Sequence, residues 1–343
     1  MIIDGKLIAL EIKKSLLKEV PKLQNKHITP QLAIVFCDTD DSIRTYIRQK
    51  QKFGADLGIK VKLIKFGKSA SGQSIINRLN KLNKDPEIHG IIIQRPFPLS
   101  IPETVLKTLV NPQKDVDGFH PKSSCEAPIA LSVIKILQQV HQQLGKENES
   151  PGGKPRAINC HSERNEVESR NLPANESKRS LHALTLGRDD ALMQQAARNY
   201  WLRPVSLRKI KFDDWLSEKK ILVIGRGESG GAPVAEYFHK YGISFLQAHS
   251  QTKNIDGLIS ESDIIISCVG KPNIVRHDIV KSTTILIGIG LYRKNGKLQT
   301  DYNQEKIANR VAFYTPAPGG VGPVNVAYLF NNLIRVVKLS VSS

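Results

Sequence analysis

Tyr46 and Lys50 stand four residues apart, the separation that puts an aromatic ring and an amine on one face of a helix. On spacing alone such a pair is more often a solvated surface contact, worth little. Gln94 ends the apolar run Gly90 to Ile93. Ligands gather at the carboxyl ends of buried parallel strands, so a polar residue leaving such a run marks a candidate site. In Lys114-Asp115-Val116-Asp117-Gly118-Phe119 the second carboxylate precedes a glycine. An Asx turn is the plain reading, and it is compatible with a binding role.

A second group of candidates lies further along the chain. Ile221 to Ile224 is a β-type run that leads into Gly225-Arg226-Gly227-Glu228-Ser229-Gly230-Gly231 and then a helical pattern. Strand, glycine loop and helix in that order are the context in which a G-x-G-x-x-G string binds a dinucleotide; the alternative is a glycine turn that holds nothing. The next strand ends without Asp or Glu to hold a ribose 2′-hydroxyl. Gln247, His249 and Ser250 stand there instead, and the Arg226 guanidinium could pair with a 2′-phosphate, so NADP is expected over NAD. Last comes Pro318-Gly319-Gly320-Val321-Gly322-Pro323. Its glycines let a ligand approach the main chain, and its prolines fix the backbone. A helix is expected to start just after Pro323 and to present free N–H groups to whatever lies over the loop.

The elements that must position these residues follow from periodicity. Leu32–Phe36, Val61–Phe66 and Gly90–Ile93 read as strands, with helices over Tyr46–Leu57 and across Ile75, Ile76, Leu79 and Leu82. After a polar stretch the pattern resumes, with strands at Ile221–Ile224, Ser244–Gln247, Asp263–Val269 and Ile285–Ile289, a helix over Ala232–Lys240 and a final helix from Val324 to Lys338. Strands alternating with helices of this length imply βαβ units and parallel sheets. The expected fold is α/β in two domains, an N-terminal α/β domain over 1–137 and a Rossmann-type cofactor domain over 212–323. The helix of 324–343 is expected to pack back on the first domain. Residues 138–211, polar, basic and poor in apolar side chains, are expected to be a poorly ordered insertion.

A length of 343 residues suits two domains, each with its own core. With 40% hydrophobic residues and no long uncharged apolar segment, a soluble protein outside the membrane is expected. Four scattered cysteines lack metal or disulfide spacing, so no metal site and a reducing cytoplasm are expected. The net charge of +18 is dispersed, with no aromatic-studded basic stripe, which argues against nucleic acid as a partner.

Taken together these strings resemble the methylenetetrahydrofolate dehydrogenase/cyclohydrolase family. Tyr314-Thr315-Pro316 with the Pro318–Pro323 loop resembles the family's PGGVGP signature. Gly225, Arg226, Gly231 and Pro233, then His249, Ser250 and Thr252, resemble GRSxxVGxP followed by CHSxT. Tyr46 and Lys50, followed by Gly58-Ile59, resemble its YxxxK; Gly90 to Leu99 resembles GILVQLPLP, and Lys114 to Phe119 is KDVDGF. The chain departs from the family at Gly227 (Ser), Gly230 (Val), Gly288 (the Asp of VIDVG) and Asn325 (Thr). Of the PCTPxG segment only Cys125-Glu126-Ala127-Pro128-Ile129-Ala130 remains.

The resemblance implies oxidation of methylenetetrahydrofolate by NADP and hydrolysis of the methenyl product to formyltetrahydrofolate. It implies Lys50 as general acid/base with Gln94 orienting it, Tyr46 stacking on the folate ring and Asp117 on the pterin edge. Gly319, Gly320 and Gly322 would border the cleft, and Gly225, Arg226, Gly227, Gly231 and Ser250 would hold the cofactor. A homodimer is implied as well. Another two-domain NADP dehydrogenase of the shikimate type, or a catalytically decayed paralogue, are the competing readings.

Overall fold

Continuous apolar runs such as Ile221–Ile224 are buried on both faces, and in the computed structural model they form the centres of two parallel sheets. The structure describes residues 1–37, 41–67, 69–95, 97, 101–149 and 211–342. It divides into two units, Met1–His141 with Phe212–Ser343, and Gln142–Lys211.

The first sheet has the order β2-β1-β3, from β1 (Gln31–Cys37), β2 (Lys60–Phe66) and β3 (Gly90–Ile93). All pairs are parallel, with Leu32 opposite Val61 on one side and Gly90 on the other. Helices α1 (Gly5–Gln24), α2 (Asp41–Asp56), α3 (Gly72–Lys84), the short α4 (Glu103–Leu106) and α5 (Pro128–Glu149) accompany it. Asp4 caps α1, its side chain accepting from the Lys6 N–H at 2.8 Å.

After α6 (Phe212–Ser217) come β4 (Ile221–Ile224), α7 (Gly231–Lys240), β5 (Leu246–Ala248), α8 (Ile255–Glu261), β6 (Ile264–Ser267) and β7 (Ile285–Gly288). Then follow an antiparallel pair, β8 (Leu291–Lys294) with β9 (Lys297–Thr300), the short α9 (Gln304–Ile307), β10 (Phe313–Tyr314) and α10 (Val321–Ser342). The second sheet is parallel in the order β10-β7-β6-β4-β5. The glycine loop leaves β4, with β5 on one side and β6 on the other.

The closing helix returns as expected. Val326, Leu329, Phe330, Leu333, Ile334 and Val337 of α10 share one core with Leu16 and Val20 of α1 and with Leu32 and Ile34 of β1. It starts at Val321, though, and not after Pro323. Proline is tolerated in a first helical turn because the N–H it lacks has no partner there anyway.

Two further expectations are corrected. The polar insertion does not begin at 138: α5 runs on to Glu149, because Val140 continues the buried series Val133, Ile136 and Leu137. The remainder of the expected insertion, 150–210, lies outside the described residues, as do Pro96, Pro98 and Leu99 of the GILVQLPLP-like string. The strand expected over Ser244–Gln247 is β5, Leu246–Ala248. Among the described residues no helix is long and apolar enough to cross a membrane.

Candidate active site

Lys50 is 7% exposed, and its Nζ donates to Gln94 Oε1 at 2.8 Å. Helix α2 turns the amine over the carboxyl end of the first sheet, and Gln94 follows the last residue of β3. Gln94 Nε2 donates to the Arg95 carbonyl at 3.1 Å, which fixes the amide with its oxygen toward the lysine. Burial pushes the Lys50 ammonium down from the ordinary lysine value, and the Asp117 carboxylate opposes that shift. Burial likewise pushes the Asp117 carboxyl up, against the charges of Lys50 and Arg95. Tyr46 is half-buried one turn earlier on the same helix, and burial raises its phenol.

The loop that presents Asp117 is built around Asp115. This buried carboxylate accepts the N–H groups of Asp117 and Gly118, both at 3.1 Å, and of His120 at 2.8 Å. Gly118 has φ +70°, and a Cβ there would lie 2.6 Å from the Ala127 nitrogen, so only glycine fits. From the other side Asn332 of α10 donates to the carbonyls of Val116 at 3.0 Å and Glu126 at 2.9 Å. Arg95 stacks on Phe119, 3.7 Å above its centroid, and forks onto Glu103 Oε1 at 2.5 and 3.0 Å. Glu228 of the glycine loop faces that same carboxylate. Burial first, then Glu103, push its carboxyl up.

In the second sheet the close approach that the loop needs is present. A Cβ on Gly231 would sit 2.2 Å from the Gly225 carbonyl oxygen, whereas nothing lies within 4 Å of one on Gly227. β4 and β5 pair with Ile224 opposite Ala248, so Arg226 and Ser250, both exposed, follow neighbouring strand ends. Gln247 Nε2 donates to the Gly225 carbonyl at 3.2 Å. Gly320 packs so closely against α1 that a Cβ on Gly5 would fall 1.7 Å from its oxygen, and the Lys6 stem runs beside Gly319. Gly322 lies in the first turn of α10, with open space where a Cβ would be.

Two family models match the chain. Residues 3–117 match the tetrahydrofolate dehydrogenase/cyclohydrolase catalytic domain, and residues 207–341 match the NAD(P)-binding domain of the same enzymes. A Bacillus subtilis relative, "Bifunctional protein FolD", is 30% identical over 342 residues, covering 99% of each chain. The chain belongs to the tetrahydrofolate dehydrogenase/cyclohydrolase family. Among solved structures, the bifunctional FolD of Campylobacter jejuni is similar in fold, with TM-score 0.73, 23% identity and 99% of each chain covered. The Trypanosoma brucei enzyme, solved with NADP cofactor and inhibitor, aligns with TM-score 0.68 and 24% identity, covering 100% of this chain and 99% of that one.

Against the family pattern, the structure places Lys50 against Gln94, with the charge of Asp117 acting on the lysine. It places Tyr46 on the same helix and gathers Gly225, Arg226, Gly227, Gly231 and Ser250 at the ends of β4 and β5. Sequence reasoning passed over Asp115, Arg95 and Asn332. The first carboxylate of KDVDGF was readable as the loop's organiser, since an Asp two residues before another N–H is an Asx-turn former. Arg95, standing where GILVQLPLP has Leu, was a visible departure. Asn332 had no local signal, because its partners come from loops far away in the chain.

Proposed function

We propose that this chain oxidises methylenetetrahydrofolate to the methenyl form with NADP as hydride acceptor, and hydrolyses the methenyl product to formyltetrahydrofolate. The observation that carries the reading is the buried Lys50 amine, hydrogen-bonded to Gln94 at 2.8 Å and under the charge of Asp117 at the end of a parallel sheet.

The glycine loop suits a dinucleotide, because its backbone is drawn in at Gly231 and open at Gly227. Gly225, Arg226, Gly227 and Ser250 would hold the cofactor, which when bound accepts a hydride. In this reading Asp117 takes hydrogen bonds from the pterin edge, Tyr46 stacks on the ring, and the Gly319–Gly322 loop borders both ligands; orientation supplies most of the first step. For the second step, water adds to the methenyl carbon while Lys50 Nζ takes one of its protons. That proton is returned to the ring nitrogen as the carbon–nitrogen bond breaks, and the remaining hydroxyl proton leaves to solvent as the formyl carbonyl forms. Gln94 Oε1 can only accept, so it always claims one Lys50 N–H and leaves the rest of the amine to face the water.

Burial, and not a neighbouring positive charge, is what favours the neutral amine here; the neighbouring charge, Asp117, is negative. The sign of the pH dependence follows. Only deprotonated Lys50 accepts a proton, so enzymatic hydrolysis should rise with pH through a lysine value set below the ordinary one and then level off. A profile with no rise at any pH below the ordinary lysine value, after subtraction of the uncatalysed reaction, would remove the lysine from proton transfer.

The NADP preference rests on Arg226 and Ser250 with no acid at the end of β5. A charge-assisted contact contributes about 1.5–3 kcal/mol. Arg226→Ala should therefore weaken NADP binding at least about tenfold and leave NAD binding nearly unchanged, by fluorescence titration of the reduced cofactors. Equal weakening for both would reduce Arg226 to a loop-shaping role.

The comparative partner and setting expectations, a homodimer in the cytoplasm, belong to this same reading. Sedimentation of the purified protein would test the dimer. Methylenetetrahydrofolate-dependent NADP reduction by the purified protein tests the reaction itself and separates it from the shikimate-type alternative.

A further inference from the structure

Behind the two loops that follow β6 and β10 runs a five-residue segment, Thr300 to Gln304, in which Asp301, Tyr302 and Gln304 bond main-chain groups of other segments while the exposed Asn303 caps α9. Asp301, fully buried, accepts from Ser267 Oγ at 2.6 Å and from the backbone N–H of Val269 at 2.9 Å, Gly270 at 2.6 Å and Lys271 at 2.9 Å. Tyr302, 2% exposed, donates its hydroxyl to the Thr315 carbonyl, and Thr315 Oγ1 in turn accepts the Gly288 N–H at 2.8 Å. Gln304 grips Ala317 twice, accepting its N–H at 2.8 Å and donating to its carbonyl at 3.0 Å. One short segment therefore ties down residues 267–271, the end of β7 and the root of the Gly319–Gly322 loop.

Gly288 explains how the tyrosine comes to be there. A Cβ at 288 would lie 2.7 Å from the Tyr302 hydroxyl and 2.9 Å from a ring carbon. A side chain at 288, such as the aspartate of VIDVG, and a phenol at 302 compete for one space. We propose that Asp301, Tyr302 and Gln304 are positioning residues that hold the 267–271 and 315–322 loops in register, with Tyr302 occupying the space that a side chain at 288 would otherwise fill. The proposal rests on the reading that these loops flank cofactor and folate. The geometry that carries it is independent of the reaction.

Hydrogen exchange read by mass spectrometry tests it without an activity assay. Losing one net hydrogen bond shifts a local equilibrium by about threefold to tenfold. Tyr302→Phe should speed exchange by that factor in peptides covering 315–323, while peptides of β1 and β4 keep their wild-type rates. A uniform change, or none in 315–323, overturns the positioning role and leaves Tyr302 as core filling. Gly288→Asp alone should lower the melting temperature or the soluble yield, and Gly288→Asp with Tyr302→Val should recover at least about half of that loss, since relieving a shared clash is strongly non-additive. Additive losses overturn the exchange of space. In the dehydrogenase assay Tyr302→Phe should lower kcat about tenfold with KM within about threefold, as expected when a loop misplaces bound rings. A wild-type protein without dehydrogenase activity would sink the proposed reaction and leave the exchange result to decide the strut.

Discussion

Lys50→Met should abolish cyclohydrolase activity, by about 10²–10⁴-fold, and leave a measurable dehydrogenase rate. Hydride transfer asks only that two rings be held face to face, whereas hydrolysis asks for a group that takes a proton from water. Methionine keeps the buried stem and removes the amine. The fold should tolerate it, because a desolvated amine contributes little to stability. Gln94 then loses its partner, but its amide stays anchored through the Arg95 carbonyl. Both rates measured on one preparation give the answer. Equal loss of the two activities in a folded protein would make Lys50 a substrate-positioning residue, and unimpaired hydrolysis would remove it from the mechanism.

Gly231→Ala should weaken dinucleotide binding by about tenfold to a hundredfold. Its methyl group would sit 2.2 Å from the Gly225 oxygen, 2.6 Å from that carbonyl carbon and 3.1 Å from the Arg226 nitrogen, all of them main chain. Nothing flexible can yield, so the loop itself must shift. Overpacking of this kind costs about 1–3 kcal/mol, here expressed where the phosphates would lie. Gly227→Ser meets no protein atom, so any weakening it causes would report a ligand packed against the main chain at that position. An unchanged constant for Gly231→Ala, measured by the same titration, would show that the loop does not hold the nucleotide.

What could be read in advance divides along the line between local and tertiary causes. β3, β4 and β7 were legible because a strand buried on both faces is an unbroken apolar run. The hairpin of β8 and β9 was overlooked although its signal was local. Asn295-Gly296 separates two short alternating stretches, and both residues take positive φ, 51° and 75°, as a type I′ turn requires. The pairing of Lys50 with Gln94 was legible only through resemblance, since a four-residue spacing does not say which face of a helix is buried. Asp301 and Tyr302 were not legible at all. Their partners at 267–271, 288 and 315 meet them only after the second sheet has formed, so no window of sequence contains the interaction.

The return of α10 to the first core also sets an order of events during synthesis. The wall over β1 is supplied by residues 326–337, which leave the ribosome after the entire cofactor sheet. Until they arrive, Leu32, Ile34 and Leu16 share an incomplete core, and the most distant contacts in the chain must close last. Nascent chains therefore carry an open apolar face through most of translation. The first domain in sequence should thus be the second to finish folding, the reverse of the usual N-terminal-first progression, and chaperone capture of nascent chains stalled before residue 326 would show it.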